Sequence, residues 1–261
     1  VHVHLFNPLY ALSGLAVGLL VGLTGVGGGS LMTPLLVLVF GIHPSAAVGT
    51  DLLYAAATKS VGTAVHGSRG TVDWGIVRRL SAGSVPATVI TLLLLSRFGA
   101  HSDAKHGAIT TTLGVALILT ALAIVLRKQI LAAFARRSQA WSRRTVTTLT
   151  ILLGAIMGVL VSVSSVGAGA IGMTVLLVLY PALPVSKLVG SDIAHAVPLT
   201  LLAGLGHWMM GRVDLALLGS LLVGSIPGII VGSLLASRAP DRVLRPILAS
   251  TLVIVGGKLI F

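Results

Sequence analysis

Lys59 stands about eleven residues into an apolar run that extends from about Val48 to Val65. An ammonium at bilayer depth is costly unless it is paired or wet, so its natural chemistry there is the attraction of an anion. Asp51 precedes Lys59 by eight positions, some 80° around a helix, which allows only a loose pair. Asp51 and Asp192 each follow Gly-Thr or Gly-Ser at the start of a long apolar run. A carboxylate in that position can cap free N–H groups or carry a proton for coupled transport. His195 lies one turn beyond Asp192, and His66 and His207 occupy equivalent ends of their runs. Imidazoles titrate near neutrality and could relay protons, although interfacial hydrogen bonding is their commoner use. Two breaks supply a second kind of chemistry, Thr24-Gly25-Val26-Gly27-Gly28-Gly29-Ser30 and Ser164-Ser165-Val166-Gly167-Ala168-Gly169. Unpaired backbone groups are tolerated at membrane depth only against protein or a water-filled cavity. Each break ends where a helix restarts, near Gly29-Ser30 and Gly169-Ala170, and a helix start with free N–H groups is an anion receptor. Both breaks and Lys59 are therefore candidate substrate-binding residues. Close helix packing through small residues is the alternative use of such glycines.

These residues need a bilayer to position them. The chain has 261 residues, 55% of them apolar, with mean hydropathy +1.04 and 9% charged residues, among them six Asp and no Glu. Soluble proteins carry about 25% charged residues, so a soluble enzyme and a disordered chain are both excluded. The net charge of +12 comes from Lys and Arg confined between apolar runs, which reads as membrane topology and not as nucleic-acid binding. Without Cys there is no disulfide framework, thiolate metal site or Cys nucleophile. No HExxH, paired-Asp or P-loop motif occurs, so an intramembrane protease and an ATP-driven pump lack their chemistry. The expectation is no enzyme, no cofactor and no metal.

Six runs approach the roughly 20 apolar residues that a spanning helix needs. They are approximately Val48 to Val65, Ile76 to Ser96, Gly107 to Leu126, Leu188 to Met209, Leu215 to Ser237 and Val243 to Phe261; Leu9 to Phe40 and Thr145 to Tyr180 are the two broken segments. Shifting the chain by 140 residues lays one break on the other. At a shift of 141, Gly49-Thr50-Asp51 falls on Gly190-Ser191-Asp192, His66 on His207, Val72-Asp73 on Val213-Asp214 and Pro86 on Pro227. Matches of His, Asp and Pro at one offset indicate duplication. The halves are residues 1–126 and 145–261, joined by a basic linker, 127–144, that could lie as an amphipathic helix on anionic lipid.

If each broken segment turns back as a hairpin, thirteen basic residues gather on one side and four on the other; if each crosses, the division is eleven to six. The positive-inside rule favours the hairpin. First arms of about 15 and 12 residues, too short to span alone, agree with it. The expected fold is an all-α integral membrane protein of two inverted homologous repeats, each a broken-helix hairpin plus three transmembrane helices. Its termini are expected outside and its linker in the cytoplasm.

Gly22 to Pro34, with the run TGVGGGSLMTP, the following Gly49-Thr50-Asp51 and the four-plus-four duplication together resemble the TauE/SafE sulfite-exporter family of membrane permeases. The resemblance covers Leu9 to Phe261. The second half departs from the fullest motif, with Ser165 and Ala168 in place of Gly25 and Gly28. What the resemblance implies is a multi-pass protein of the bacterial inner membrane moving a small sulfur-containing or carboxylic anion such as sulfite, sulfoacetate or thiosulfate. An anion channel lined by the broken helices is the second reading. The expected partners are that anion and the lipid bilayer, with no nucleic acid; oligomeric state is left open, a homodimer included.

Overall fold

A computed structural model describes residues 8–24, 29–98, 105–138, 140–166 and 169–235, which form ten helices joined by short turns. In chain order these are α1 (Pro8–Thr24), α2 (Gly29–Leu38), α3 (Pro44–Ser68), α4 (Trp74–Phe98), α5 (Lys105–Val125), α6 (Arg127–Ser138), α7 (Arg143–Ser164), α8 (Ala170–Leu179), α9 (Val185–Met209) and α10 (Leu215–Leu235). The expected run Val243 to Phe261 lies outside the described residues, as do Gly25 to Gly28, Gly167 and Ala168.

Four helices, α4, α7, α9 and α10, are each long and apolar enough to cross a membrane, and a segment of α5 bent by 63° against α6 makes a fifth candidate. One expectation is corrected here. The first arm of the second hairpin is α7, whose 22 residues extend about 33 Å and can span alone, because the helix begins at Arg143 and runs on to Ser164. Large apolar side chains face outward, with Leu93 58%, Leu152 53% and Val223 59% exposed on α4, α7 and α10. Such a surface suits hydrocarbon and not water.

Both broken segments double back. Tyr10 near the start of α1 meets Phe40 just beyond α2, ring centroids 4.7 Å apart. At the related positions Thr150 Oγ1 and Tyr180 OH lie 2.8 Å apart. The second reversal begins at Ser165, the C-cap of α7, which adopts the left-handed conformation at φ 59°.

Each half's first helix packs on the other half's fourth. On α1, Gly14 and Gly18 sit against the Leu221 and Ser225 backbone of α10; on α7, Gly154 and Gly158 sit against the Leu80 and Ser84 backbone of α4. These are the same contacts at related positions. Absent side chains let the backbones approach closely, the usual device where lipid supplies no hydrophobic drive between helices. The long helices α3 and α9 cross between the two pairs, with Gly49 against Arg212, Leu53 against Gly204 and Gly62 against Ile193. Rising numbers on one helix meet falling numbers on the other, so α3 and α9 run in opposite directions.

After α3 and α9 the chain turns through Gly70 and Gly211, both at positive φ, 65° and 70°, which glycine adopts without strain. Three residues later Asp73 Oδ1 accepts from the N–H groups of Gly75 and Ile76, and Asp214 Oδ1 from those of Ala216 and Leu217. These aspartates cap the helices that follow.

Candidate functional site

The capping role considered for Asp51 and Asp192 does not hold. Pro44 and Pro184 start α3 and α9 well upstream, which suits a ring with fixed φ and no N–H, and leaves both carboxylates two turns inside their helices. The tripeptides around them divide three tasks. Gly49 leaves room for the Arg212 carbonyl oxygen, and Gly190 for that of Thr71. Thr50 Oγ1 accepts the Asp214 N–H at 3.0 Å, and Ser191 Oγ the Asp73 N–H at 2.8 Å. The first two residues thus lock each half onto the other's turn. Asp51 and Asp192, 0% and 2% exposed, are left for the interior.

Asp51 Oδ2 accepts from Thr33 Oγ1 of α2 and, at 2.9 Å, from Ser165 Oγ at the second hairpin's break. One carboxylate oxygen therefore joins a helix of the first half's hairpin to the tip of the second's. Thr33 was missed in the sequence; a hydroxyl beside Pro34 in an otherwise apolar arm was the available sign. Val166, fully buried, anchors the same tip among Ala116, Leu117 and Ala121 of α5.

Lys59, 3% exposed, sits on α3 between the levels of Asp51 and Asp192 set by the α3–α9 register. The related position, Thr200, is spent locally, its Oγ1 donating to the Ala196 carbonyl at 2.7 Å. His195 is fully buried with Nε2 2.9 Å from Ser84 Oγ of α4. Three buried atoms lack partners here, Asp51 Oδ1, Asp192 Oδ1 and His195 Nδ1. Buried polar atoms are nearly always hydrogen-bonded, so these three are exceptions.

Other expected residues make hydrogen bonds of their own. The Thr71 hydroxyl donates to the His66 carbonyl at 2.9 Å, so at 3.0 Å His66 Nδ1 must be the donor to Thr71 Oγ1. His207 Nε2 donates to the Ser162 carbonyl at 2.9 Å. Both imidazoles stand near helix ends as hydrogen-bonders, each with one nitrogen unpartnered. Ser164 turns inward on its own helix, its Oγ donating to the Leu160 carbonyl at 2.7 Å. Helices α2 and α8 begin at Gly29 and Ala170, with Gly169 as the N-cap of α8. At the far end of α8, an open cavity of about 510 Å³ is lined by Arg79, Trp141, Arg143 and Tyr180, with Arg79 Nη1 donating to Tyr180 OH at 3.1 Å.

Residues 10–259 match the family described as Sulfite exporter TauE/SafE. The chain belongs to the TauE/SafE family. Curated relatives carry the same membrane role in their names. The probable membrane transporter protein YjnA of Bacillus subtilis (strain 168) is 40% identical over 207 residues, 79% of this chain and 81% of its own. The probable membrane transporter protein YdhB of the same organism is 29% identical over 203 residues, 77% of this chain and 78% of its own. No solved structure matches. This TauE/SafE protein is a multi-pass membrane transporter and not an enzyme.

Proposed function

We propose that this protein is a secondary transporter for a small sulfur-containing or carboxylic anion, of the sulfite, sulfoacetate or thiosulfate class, working by alternating access of two inverted repeats around a midplane site. The observation that carries the reading is a buried lysine where two antiparallel, sequence-related helices cross, eight residues along its own helix from a carboxylate tied to the tip of a hairpin. Related helices that cross in opposite directions support repeats of opposite membrane orientation. The starts of α2 and α8, together with Lys59, would surround an anion with N–H groups and one full charge. The family's own description supports an oxyanion of sulfur as substrate. In liposomes carrying purified protein and labelled sulfite, sulfoacetate or thiosulfate, the expected result is saturable uptake that exchanges one anion for another. Steep, non-saturating conductance would instead establish the channel reading.

Orientation has its own test. A reporter fused after Arg137 should read cytoplasmic and one after Phe261 periplasmic; both on one side would overturn the inverted arrangement. The tips have another. Gly27 and Gly167 belong to the breaks, and Gly27→Val or Gly167→Val should cut transport far more than folded yield, because a branched side chain would screen the backbone N–H groups from the anion. Unchanged substrate affinity in either well-folded variant would move the site elsewhere.

A further inference from the structure

The open cavity of about 510 Å³ at the end of α8 has the size of a ligand site, for which roughly 300–1,000 Å³ is usual. Several helix ends meet around it. Gly154 sits against Leu80 and Gly158 against Ser84, numbers rising together, so α4 and α7 run side by side in the same direction and both start at this face. The second hairpin returns to the same level, where Tyr180 beyond α8 meets Thr150 of α7. Because α4 and α7 are each long and apolar enough to span, their shared starting face belongs at a membrane boundary.

Two guanidinium groups line the cavity, Arg79 from the second turn of α4 and Arg143 from the start of α7. Among the described residues that line it there is no carboxylate, and Asp73, just before α4, is taken up by the N–H groups of Gly75 and Ile76. Arg79 is also held in place. Thr150 Oγ1 gives its proton to the Val146 carbonyl at 2.7 Å, so Tyr180 OH must give its own to Thr150, and the phenol oxygen is left to accept Arg79 Nη1 at 3.1 Å. A guanidinium has five N–H donors, and the phenol takes only one. The fold does not demand this arrangement. At the positions related to Thr150, Tyr180 and Arg79 stand Tyr10, Phe40 and Ser220, and there the two rings simply pack edge to face.

The rest of the lining distinguishes a lipid from a free anion. Val146, Leu179 and Leu183 give the cavity an apolar side, and Trp141 of the basic linker stands with them. A free phosphate gains nothing from such a surface, whereas a phospholipid brings glycerol and acyl carbons to cover it; indole rings favour the same headgroup level. Phe134 of α6 lies near Trp141, ring centroids 6.3 Å apart, and α6 is bent by 63° from the segment of α5 before it, with Arg127 and Lys128 at its start. Basic residues off the end of a spanning helix draw anionic headgroups.

We infer that this cavity binds the phosphate headgroup of an anionic phospholipid: Arg79 and Arg143 hold the phosphate oxygens, and the glycerol and first acyl carbons rest on Val146, Leu179 and Leu183. Charge-assisted bonds from a guanidinium fork suit a phosphate. The site is independent of the transported anion. Arg78 and Arg144 provide the comparison with general surface charge, since each is the sequence neighbour of a cavity arginine, is exposed and does not line the cavity.

Trp74→Phe combined with Trp208→Phe leaves Trp141 as the one indole of the full chain. In nonionic detergent, dioleoylphosphatidylglycerol titrated in mixed micelles should change its fluorescence to saturation. Dioleoylphosphatidylcholine at the same mole fraction, and inorganic phosphate at matched ionic strength, should not. In that background Arg79→Gln and Arg143→Gln should each weaken the response at least about fivefold, as expected for loss of a hydrogen bond to a charged group. Arg78→Gln and Arg144→Gln remove the same charge and should change it less than about twofold. Melting temperatures without lipid show which variants are folded, and Arg143→Gln, on an exposed residue, decides the matter if Arg79→Gln does not fold. No saturable change, an equal response to phosphatidylcholine, or equal losses in all folded arginine variants overturns the site; a response to inorganic phosphate that matches the lipid's overturns the lipid as its ligand.

Discussion

Lys59→Met is expected to weaken the binding of a dianion such as sulfite or sulfoacetate at least about tenfold, or about 1.4 kcal/mol, and that of a monoanion by less. A helix N-terminus carries about half a positive charge, so two of them roughly balance a monoanion and leave a dianion under-compensated in a low-dielectric site. In the proposed site Lys59, buried on α3, would close the gap, whereas Thr200, at the related position, is already bonded to its own helix. Met keeps the length of the stem and removes the ammonium, so packing is largely retained. A tenfold loss is modest for a charged hydrogen bond. A lysine whose task is structural predicts the reverse pattern, with a lower melting temperature and an unchanged affinity in the protein that survives. Melting temperature and affinity for both classes of anion, measured on one preparation, decide between these outcomes; intact dianion affinity would remove Lys59 from the site.

Gly224→Ala and Gly83→Ala should each cost more stability than any exposed substitution, by about 1–3 kcal/mol from overpacking. A methyl group at Gly224 would collide with the Ala11 carbonyl oxygen of α1, and one at Gly83 with the Ile151 carbonyl oxygen of α7. Both obstacles are backbone, which cannot rotate out of the way, so α1 and α10, or α4 and α7, would have to separate. Gly219→Ala on α10 is the internal control, since a Cβ there meets nothing within 4 Å. Better helix propensity should make that variant neutral or slightly stabilised. Melting temperatures and folded yields in one detergent give the comparison, and three equal losses would show that the close approach of these helices does not limit stability.

Much of this was legible in one dimension. Composition alone demanded a bilayer, because hydrocarbon is the only solvent in which so apolar a surface is stable. The offset between the halves located Gly49, Asp51, His66 and Pro86 against their counterparts, and the two restarts fell at Gly29 and Ala170 because glycine and hydroxyl residues lack the propensity to continue a helix through the breaks. Lys59 stood out by cost. The local starts of α3 and α9 were misjudged, since apolar periodicity begins at Val48 and Leu188 whereas the helices are begun upstream by proline geometry, and that error made caps of two interior carboxylates.

What the tertiary structure decided is which half each residue serves. Gly14 and Gly154 could equally have packed on helices nearer in sequence; instead α1 lies on α10 and α7 on α4. The hydrogen bond from Ser165 to Asp51 spans 114 residues and that between Thr58 and Ser225 spans 167. Hydrophobic pattern records which face of a helix is buried, but in a membrane nearly every face is apolar and the pattern names no partner. Partner choice rests on backbone approach at glycines and on a few buried hydroxyls. These interactions exist only once two distant segments lie side by side, and so the different fates of Asp51 and Asp192 could not be read until their neighbours were in place.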